Sequence, residues 1–242
     1  MKSDLAQYCS KMSPNKSTRT EKITKIVIHH MAGILSAKEC ENIFANPKRQ
    51  ASANYLIGKN GEILCNVDEN ERAWTSGSKW LDQQAITIEV SNCHGAPGWE
   101  VSDVCITSLV NLCKDICKRY NIQPVFTGNT DGSICFHCMV QATACPGPYI
   151  RNNIGKIVDL IKNDSGKVEK PKTDNVAPSS STSFKVQVTC NCLNIRKGPG
   201  TTYKTVGQIK DKGVYTIVET QGKWGKLKSG AGWIYLSYTK KI

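Results

Sequence analysis

A polar segment at residues 164–183 limits how this chain can fold, because it separates two stretches of different character. The segment contains two prolines, one glycine, a run of serine and threonine, and almost no apolar side chains. It cannot bury enough apolar surface to offset the entropy lost on ordering, which predicts a flexible linker. The 242 residues therefore divide into a medium-sized domain at 1–163 and a small domain at 184–242.

The first domain alternates patterns typical of strands with patterns typical of helices. β-branched runs and a Gly-Lys-Asn-Gly turn indicate strands, whereas a capping box at Ser36 and apolar residues at helical spacing indicate helices. The alternation favours an α/β or α+β domain. We predict strands at Lys25–His30, Asn54–Ile57, Glu62–Val67 and Ala85–Val90, and helices from Ser36 towards Ala45, from Ser102 to Tyr120 and at Ile154–Ile161.

The second domain alternates short apolar runs with turn residues about every ten positions, a pattern that predicts a small all-β barrel. It carries eleven lysine and arginine residues but only two acidic residues, so its formal charge is +9 within a total of +12 for the chain. An anionic polymer is the natural partner of such a surface. On charge alone, nucleic acid and cell-wall polymers both qualify.

Three general features bear on where the chain acts. The N-terminus has no apolar run of about 7–15 residues, so we expect no secretory signal and synthesis in the cytoplasm. No stretch approaches the roughly 20 apolar residues that span a membrane. The twelve cysteines are expected to be mostly free thiols, because a reducing compartment opposes disulfide formation. The sequence does not specify an oligomeric state.

His137 and Cys145 are the strongest local indication of chemistry. They stand eight residues apart in a segment that continues as Pro-Gly-Pro, and imidazole and thiolate are good zinc ligands. His29 is the natural third ligand, because it lies at the end of a buried strand, where α/β proteins commonly place their sites. Three protein ligands leave a fourth position for water, as in catalytic zinc sites. The alternative is a set of unrelated core His and Cys residues.

Four motifs follow one another along the first domain. They are Ile-Val-Ile-His-His at 26–30, Ser-Ala-Asn-Tyr-Leu-Ile-Gly-Lys-Asn-Gly at 52–61, Ala-Ile-Thr-Ile-Glu at 85–89, and His137 followed by Thr-Ala-Cys-Pro-Gly at 143–147. In this order they resemble the N-acetylmuramoyl-L-alanine amidase family that includes phage lysozyme-like amidases and peptidoglycan-recognition proteins. The resemblance covers about residues 20–160. It implies a central mixed β-sheet flanked by helices, and zinc held by His29, His137 and Cys145.

The resemblance also implies roles for residues around the metal. Glu89 matches a glutamate that takes a proton from the attacking water and passes it to the leaving amine; the alternative is a solvated rim residue. Tyr55 matches a tyrosine near the reacting carbonyl, and a core aromatic on a strand is the alternative. Thr143 stands where some members carry a lysine, and its hydroxyl can bond the oxyanion. Met139 replaces an aspartate of many members, so some orientation of His137 is missing or supplied elsewhere.

The second domain contains three motifs of its own. They are Leu-Asn-Ile-Arg-Lys-Gly-Pro-Gly at 193–200, Gly-Lys-Trp-Gly-Lys-Leu at 222–227 and Gly-Trp-Ile at 232–234. They resemble the bacterial SH3-type wall-binding domain across nearly all of 184–242. Trp224 is expected in the barrel core, because large aromatic side chains dominate small cores.

Together the two resemblances imply hydrolysis of the amide bond between N-acetylmuramic acid and L-alanine in peptidoglycan, and thus cell-wall lysis. Without an export signal, we expect a phage or prophage endolysin that accumulates in the cytoplasm and reaches the wall through a separate pore-forming protein. The expected partners are peptidoglycan and anionic wall polymers, not nucleic acid. The alternative is a peptidoglycan-recognition protein that binds without cutting. Such relatives tend to lose a zinc ligand, often the cysteine, and Cys145 is present.

Overall fold

The structure is a computed structural model that describes residues 1–163, 183–200, 203–221 and 223–242. These residues form two compact units. The predicted linker lies outside the described residues apart from Ser183, so its flexibility stays a prediction. The cysteines are free thiols, as expected. Within the described ranges, no helix combines the length and apolar character needed to cross a membrane.

The first unit is an α/β domain that follows most of the predicted pattern. Its strands are β1 (Gln7–Tyr8), β2 (Lys16–Thr18), β3 (Lys25–His30), β4 (Tyr55–Ile57), β5 (Ile63–Cys65), β6 (Glu71–Ala73), β7 (Ala85–Val90) and β8 (Ile134–Phe136). Its helices are α1 (Ala37–Phe44), α2 (Lys79–Gln84), α3 (Asp103–Tyr120) and α4 (Gly147–Lys162). The predicted bounds of β3 and β7 are confirmed, and β4 and β5 pair in antiparallel fashion on either side of the predicted Gly-Lys-Asn-Gly turn.

A six-stranded mixed sheet forms the centre of this unit, in the order β1-β5-β4-β7-β3-β8. Strand β3 pairs in parallel with β7 and β8, and β7 pairs in parallel with β4. Helix α1 packs on the face that carries Leu56, and α2 packs on the face that carries Val27. Strand pairing places these two residues on one face with Glu89, so both helices cover the side on which the candidate site lies.

Two local differences from the sequence pattern affect the neighbourhood of the site. Helix α4 begins at Gly147 rather than Ile154, directly after the Cys145-Pro146 pair. Gly and Pro usually signal turns, but proline is tolerated in the first turn of a helix, so the pattern concealed this start. Strands β1, β2, β6 and β8 were not predicted either, since two or three residues are too short to show alternation, and the six-residue helix α2 was also not predicted.

The second unit is an all-β fold. Its strands are β9 (Phe184–Val188), β10 (Leu193–Arg196), β11 (Thr205–Ile209), β12 (Val214–Gln221), β13 (Trp224–Leu227), β14 (Trp233–Tyr235) and β15 (Thr239–Lys241). They form one sheet in the order β11-β10-β14-β13-β12-β9-β15. Its apolar core includes Leu227 and Ile234 but not Trp224, which is half-buried. The expected core position of Trp224 is therefore wrong, because β13 turns Leu227 inward and Trp224 outward.

Candidate metal centre and catalytic site

His29 and Glu89 lie side by side near the carboxyl ends of two parallel strands. The register of β3 and β7 pairs them directly, so their side chains project from the same face of the sheet. His29 is almost fully buried, with 1% of its surface exposed. His30 faces the other way, as alternation predicts. Its Nδ1 lies 3.2 Å from Oδ1 of Asn92, and its ring packs edge-on against Trp99.

His137 and Cys145 reach the same place from the segment between β8 and α4. Strand β8 aligns Phe136 with Ile28, so the next residue, His137, comes level with His29. The chain then turns back, and the backbone N–H of Cys138 donates to the carbonyl of Cys145 at 3.3 Å. Cys145 is held between this turn and the start of α4.

Three side chains converge here with the spacing of metal ligands. One ligand atom each from His29, His137 and Cys145 lies within 4.8 Å of the other two. Sγ of Cys145 is 3.5 Å from Nδ1 of His29. Zinc–sulfur bonds of about 2.3 Å and zinc–nitrogen bonds of about 2.0–2.1 Å place two tetrahedral ligands roughly 3.5 Å apart, so donor set and spacing fit zinc. Nε2 of His29 is buried and has no hydrogen-bond partner among the described residues.

The electrostatics of the three side chains also suit a metal. Burial lowers the pKa of His29 well below its ordinary value, and the neighbouring His137 and His30 lower it further. Burial also lowers the pKa of His137. Both rings are thus neutral imidazoles with a lone pair available near neutral pH. Burial, followed by the charge of Glu89, raises the pKa of the Cys145 thiol, so metal binding there must displace a proton.

Glu89 is a carboxyl group in an unusual position. Its Oε2 atom is buried without a hydrogen-bond partner among the described residues. Burial raises the pKa of Glu89 to about 8, and the nearby positive charge of Arg49 opposes that rise. A carboxyl group whose pKa lies near neutrality is suited to accept and return a proton, as a general acid–base group must.

Tyr55 is not brought to this cluster. In β4, Leu56 is level with Glu89 and Tyr55 is level with Ile88, so Tyr55 projects from the opposite face of the sheet. Its hydroxyl donates to Oε1 of Glu69 and accepts from the backbone N–H of Ser3 at 2.7 Å. Burial and the charge of Glu69 raise the pKa of Tyr55. These contacts agree with the alternative interpretation of Tyr55 as an aromatic residue of the core.

Thr143 and Arg151 hold the segment that carries Cys145. Oγ1 of Thr143 accepts from the backbone N–H of Cys145 at 3.2 Å. Nη2 of Arg151 donates to the carbonyls of Ala144 at 2.6 Å and Thr143 at 3.3 Å. Arg151 therefore joins the first turns of α4 to the residues that precede the ligand. No sequence pattern indicates this role, because a basic residue in a helix normally faces solvent.

His137 has a support that the sequence did not reveal. The charge of Asp82 and a backbone hydrogen bond with Ser76 oppose the lowering of its pKa, as an accepting carbonyl would. The Asp82 carboxylate accepts from the backbone N–H groups of Thr75 and Ser76 at 3.1 Å each. Ser76 and Asp82 thus lie where an orienting group is needed. Neither residue belongs to a sequence motif, so only tertiary contact identifies them as neighbours of His137.

Comparison with known proteins identifies a family match and several solved structures with a similar fold. Residues 19–148 match the family described as N-acetylmuramoyl-L-alanine amidase. No curated protein matches. Similar folds include the structure of PlyL, with a TM-score of 0.52 and 15% identity over 64% of this chain and 96% of that one. They also include a mutant endolysin from Bacillus subtilis, with a TM-score of 0.52 and 17% identity over 66% and 99%.

A third solved structure, a selenomethionine derivative of AmpD, has a TM-score of 0.51 and 19% identity over 66% of this chain and 96% of its own. At such identities the likeness establishes the fold alone, a mixed α/β sheet with flanking helices. The sequence match itself spans more than half of the 242 residues and includes His29, Glu89, His137 and Cys145. The chain therefore belongs to the N-acetylmuramoyl-L-alanine amidase family.

Proposed function

We propose that this protein hydrolyses the amide bond between N-acetylmuramic acid and L-alanine in peptidoglycan, with zinc bound by His29, His137 and Cys145. The observation that carries the proposal is the convergence of these ligand atoms within 4.8 Å beside the buried carboxyl group of Glu89. A retained cysteine ligand favours hydrolysis over binding alone. Family membership supplies the substrate class.

The chain's own residues divide the chemical work between them. A zinc ion at this site would act as a Lewis acid: it would polarise the scissile carbonyl and lower the pKa of water, so that a hydroxide nucleophile would be available near neutral pH. Glu89 accepts the proton of the attacking water and delivers it to the nitrogen of the leaving L-alanine. Burial favours the protonated form of Glu89, which helps the carboxyl group to hold the proton between the two transfers.

Thr143 is proposed to assist the developing negative charge on the carbonyl oxygen. Its oxygen already accepts from the N–H of Cys145, so its hydroxyl hydrogen remains to donate. A neutral donor of this kind stabilises an oxyanion without adding charge. Tyr55 is given no part in the reaction, because its hydroxyl is bound to Glu69 on the other face of the sheet.

We propose further that residues 1–163 form the catalytic domain, that 164–183 form a flexible linker, and that 184–242 form an SH3-type wall-binding domain. The all-β fold of the second unit and its charge of +9 support this assignment. Such a protein suits the role of a phage or prophage endolysin, released to the wall through a separate pore-forming protein. Tethering by a linker raises the concentration of the catalytic domain at its substrate.

The test is incubation of the purified full chain with isolated peptidoglycan, followed by separate assays of released amino groups and reducing sugars. An amidase releases amino groups and no reducing sugars. Glu89→Gln should slow the release about 10²–10⁴-fold while zinc content stays near one per chain. Binding to peptidoglycan with neither product would support the recognition-protein alternative, and release of reducing sugars would assign the cleavage to a glycosidic bond instead.

A further inference from the structure

Two partly accessible aromatic side chains, Trp224 and Tyr235, lie next to each other on the side of the second unit's sheet that faces away from its core. Register pairs Trp224 with Tyr235 and Lys226 with Trp233 across β13 and β14. Leu227 lies in the core, so strand alternation directs these four side chains outward. Trp233 is nevertheless buried, with 7% of its surface exposed, so we call Trp224, Lys226 and Tyr235 the aromatic face.

The rings of this face form a connected ridge. The ring centroids of Trp224 and Tyr235 are 5.2 Å apart, and those of Tyr235 and Tyr238 are 5.4 Å apart. The ring planes are tilted by 57° and 56°, so the ridge is stepped and offers no parallel slots for flat bases. Trp224 and Tyr235 are each half-buried, which leaves part of both rings open to a ligand, whereas Tyr238 packs against the apolar core. Neighbouring aromatic rings with accessible surface can pack against the apolar face of a ligand.

Positive charge borders the aromatic face. Nζ of Lys226 lies 5.8 Å from the ring centroid of Trp233 and 3.0 Å from Oε2 of Glu219. Lys223, next to Trp224, is exposed and forms no ion pair among the described residues. Glu219 is one of only two acidic residues in 184–242, against eleven basic ones. A ligand that meets this face therefore meets an excess of cations.

We propose that the aromatic face binds a cell-wall polysaccharide that carries phosphodiester groups along its chain. The exposed ring surfaces pack against the apolar faces of the sugars, while Lys223 and Lys226 pair with the phosphates. The proposal rests on the proposed function, because that function brings the chain to the bacterial wall. It also separates the two recognition tasks, since the catalytic domain contacts peptidoglycan and the second unit contacts a different polymer.

The test measures co-sedimentation of the full chain with purified Gram-positive walls that retain their phosphodiester polymers. The same walls after hydrofluoric acid extraction, which removes those polymers, form the second arm, and a single-stranded DNA oligonucleotide forms the third. One variant is Trp224→Ala; another combines Lys223→Gln with Lys226→Gln. The matched control combines Lys210→Gln with Lys212→Gln, which removes the same charge at the opposite end of β12.

We expect the Trp224 variant and the Lys223/Lys226 variant each to bind intact walls about tenfold more weakly. The Lys210/Lys212 control should change binding by less than about twofold, and extracted walls should bind the unaltered chain as weakly as the variants. Thermal unfolding of each variant verifies that the second unit remains folded; if Trp224→Ala unfolds it, Trp224→Leu replaces that variant.

Three results would overturn the proposal: equal losses in the control pair, undiminished binding to extracted walls, or tighter binding to the oligonucleotide than to walls. Hydrolysis of soluble muropeptides is measured in parallel on the same samples. Its absence from the unaltered chain would contradict the proposed function, whereas the binding data would still decide the role of the aromatic face.

Discussion

Replacing Glu89 with glutamine should remove turnover and, in the metal-free protein, stabilise the fold. In the folded chain burial raises the pKa of Glu89 to about 8, whereas the unfolded chain has an ordinary carboxyl pKa of about 4.3. Between these two pH values Glu89 is protonated in the folded chain but ionised in the unfolded chain. The contribution of Glu89 to the free energy of unfolding is therefore fully present below about pH 4 and is lost as the pH rises towards 8. Glutamine carries no charge and should escape this loss.

The expected size follows from the same shift. Each pH unit within the window lowers the free energy of unfolding by about 1.4 kcal/mol, so the whole loss is on the order of 5 kcal/mol. The Glu89→Gln variant should thus match the unaltered chain near pH 5 to within about 1 kcal/mol and exceed it clearly at pH 9. The catalytic rate should fall about 10²–10⁴-fold, because an amide cannot accept the proton of water.

Urea unfolding in the presence of a chelator, at several values between pH 5 and pH 9, measures the stability. Glu69→Gln is the matched control, since Glu69 is also buried but is bonded to both Nη1 and Nη2 of Arg119 at 2.6 Å. Removing that charge should destabilise the protein by about 3 kcal/mol, the opposite sign. A Glu89→Gln variant no more stable than the unaltered chain at pH 9 would refute the burial argument. Undiminished turnover would remove Glu89 from the chemistry.

Three further predictions concern the metal and the two-part organisation. Chelation should abolish hydrolysis and added zinc should restore it, while Cys145→Ser should hold well under one zinc per chain by metal analysis. Arg151→Ala should weaken zinc binding by about tenfold in a competition titration without changing helix content, because the carbonyls of Thr143 and Ala144 lose their donor; unchanged affinity would show that the Cys145 segment needs no such support. Residues 1–163 alone should cleave soluble muropeptides as fast as the full chain but intact walls more slowly, and added salt should narrow that difference; equal wall activity would count against targeting by the second unit.

Local patterns in the sequence predicted two strands of the site, β3 and β7, but not β8 or the start of α4. The β-branched runs of β3 and β7 favour buried strands through their own composition. Ser36 and Glu39 form a capping box that supplies hydrogen bonds to the first turn of α1 without any tertiary contact. The motif residues His29, His137 and Cys145 have imidazole and thiol side chains, which can bind a metal whatever the fold. The order of motifs along the chain therefore indicated the family and its metal ligands. Strand alternation also predicted that His30 would face away from the cluster.

Tertiary structure decided which candidates meet and which do not. Tyr55 and Glu89 fit the motifs equally well, yet the register of β4 with β7 places them on opposite faces of the sheet. Asp82 and Arg151 carry no motif, and their closeness to His137 and to the Cys145 segment depends on how α2 and α4 pack. Trp224 faces outward because its neighbours on β13 fill the core. Local sequence specifies the type and period of an element, but pairing register and packing arise only when distant segments compete to bury their apolar faces.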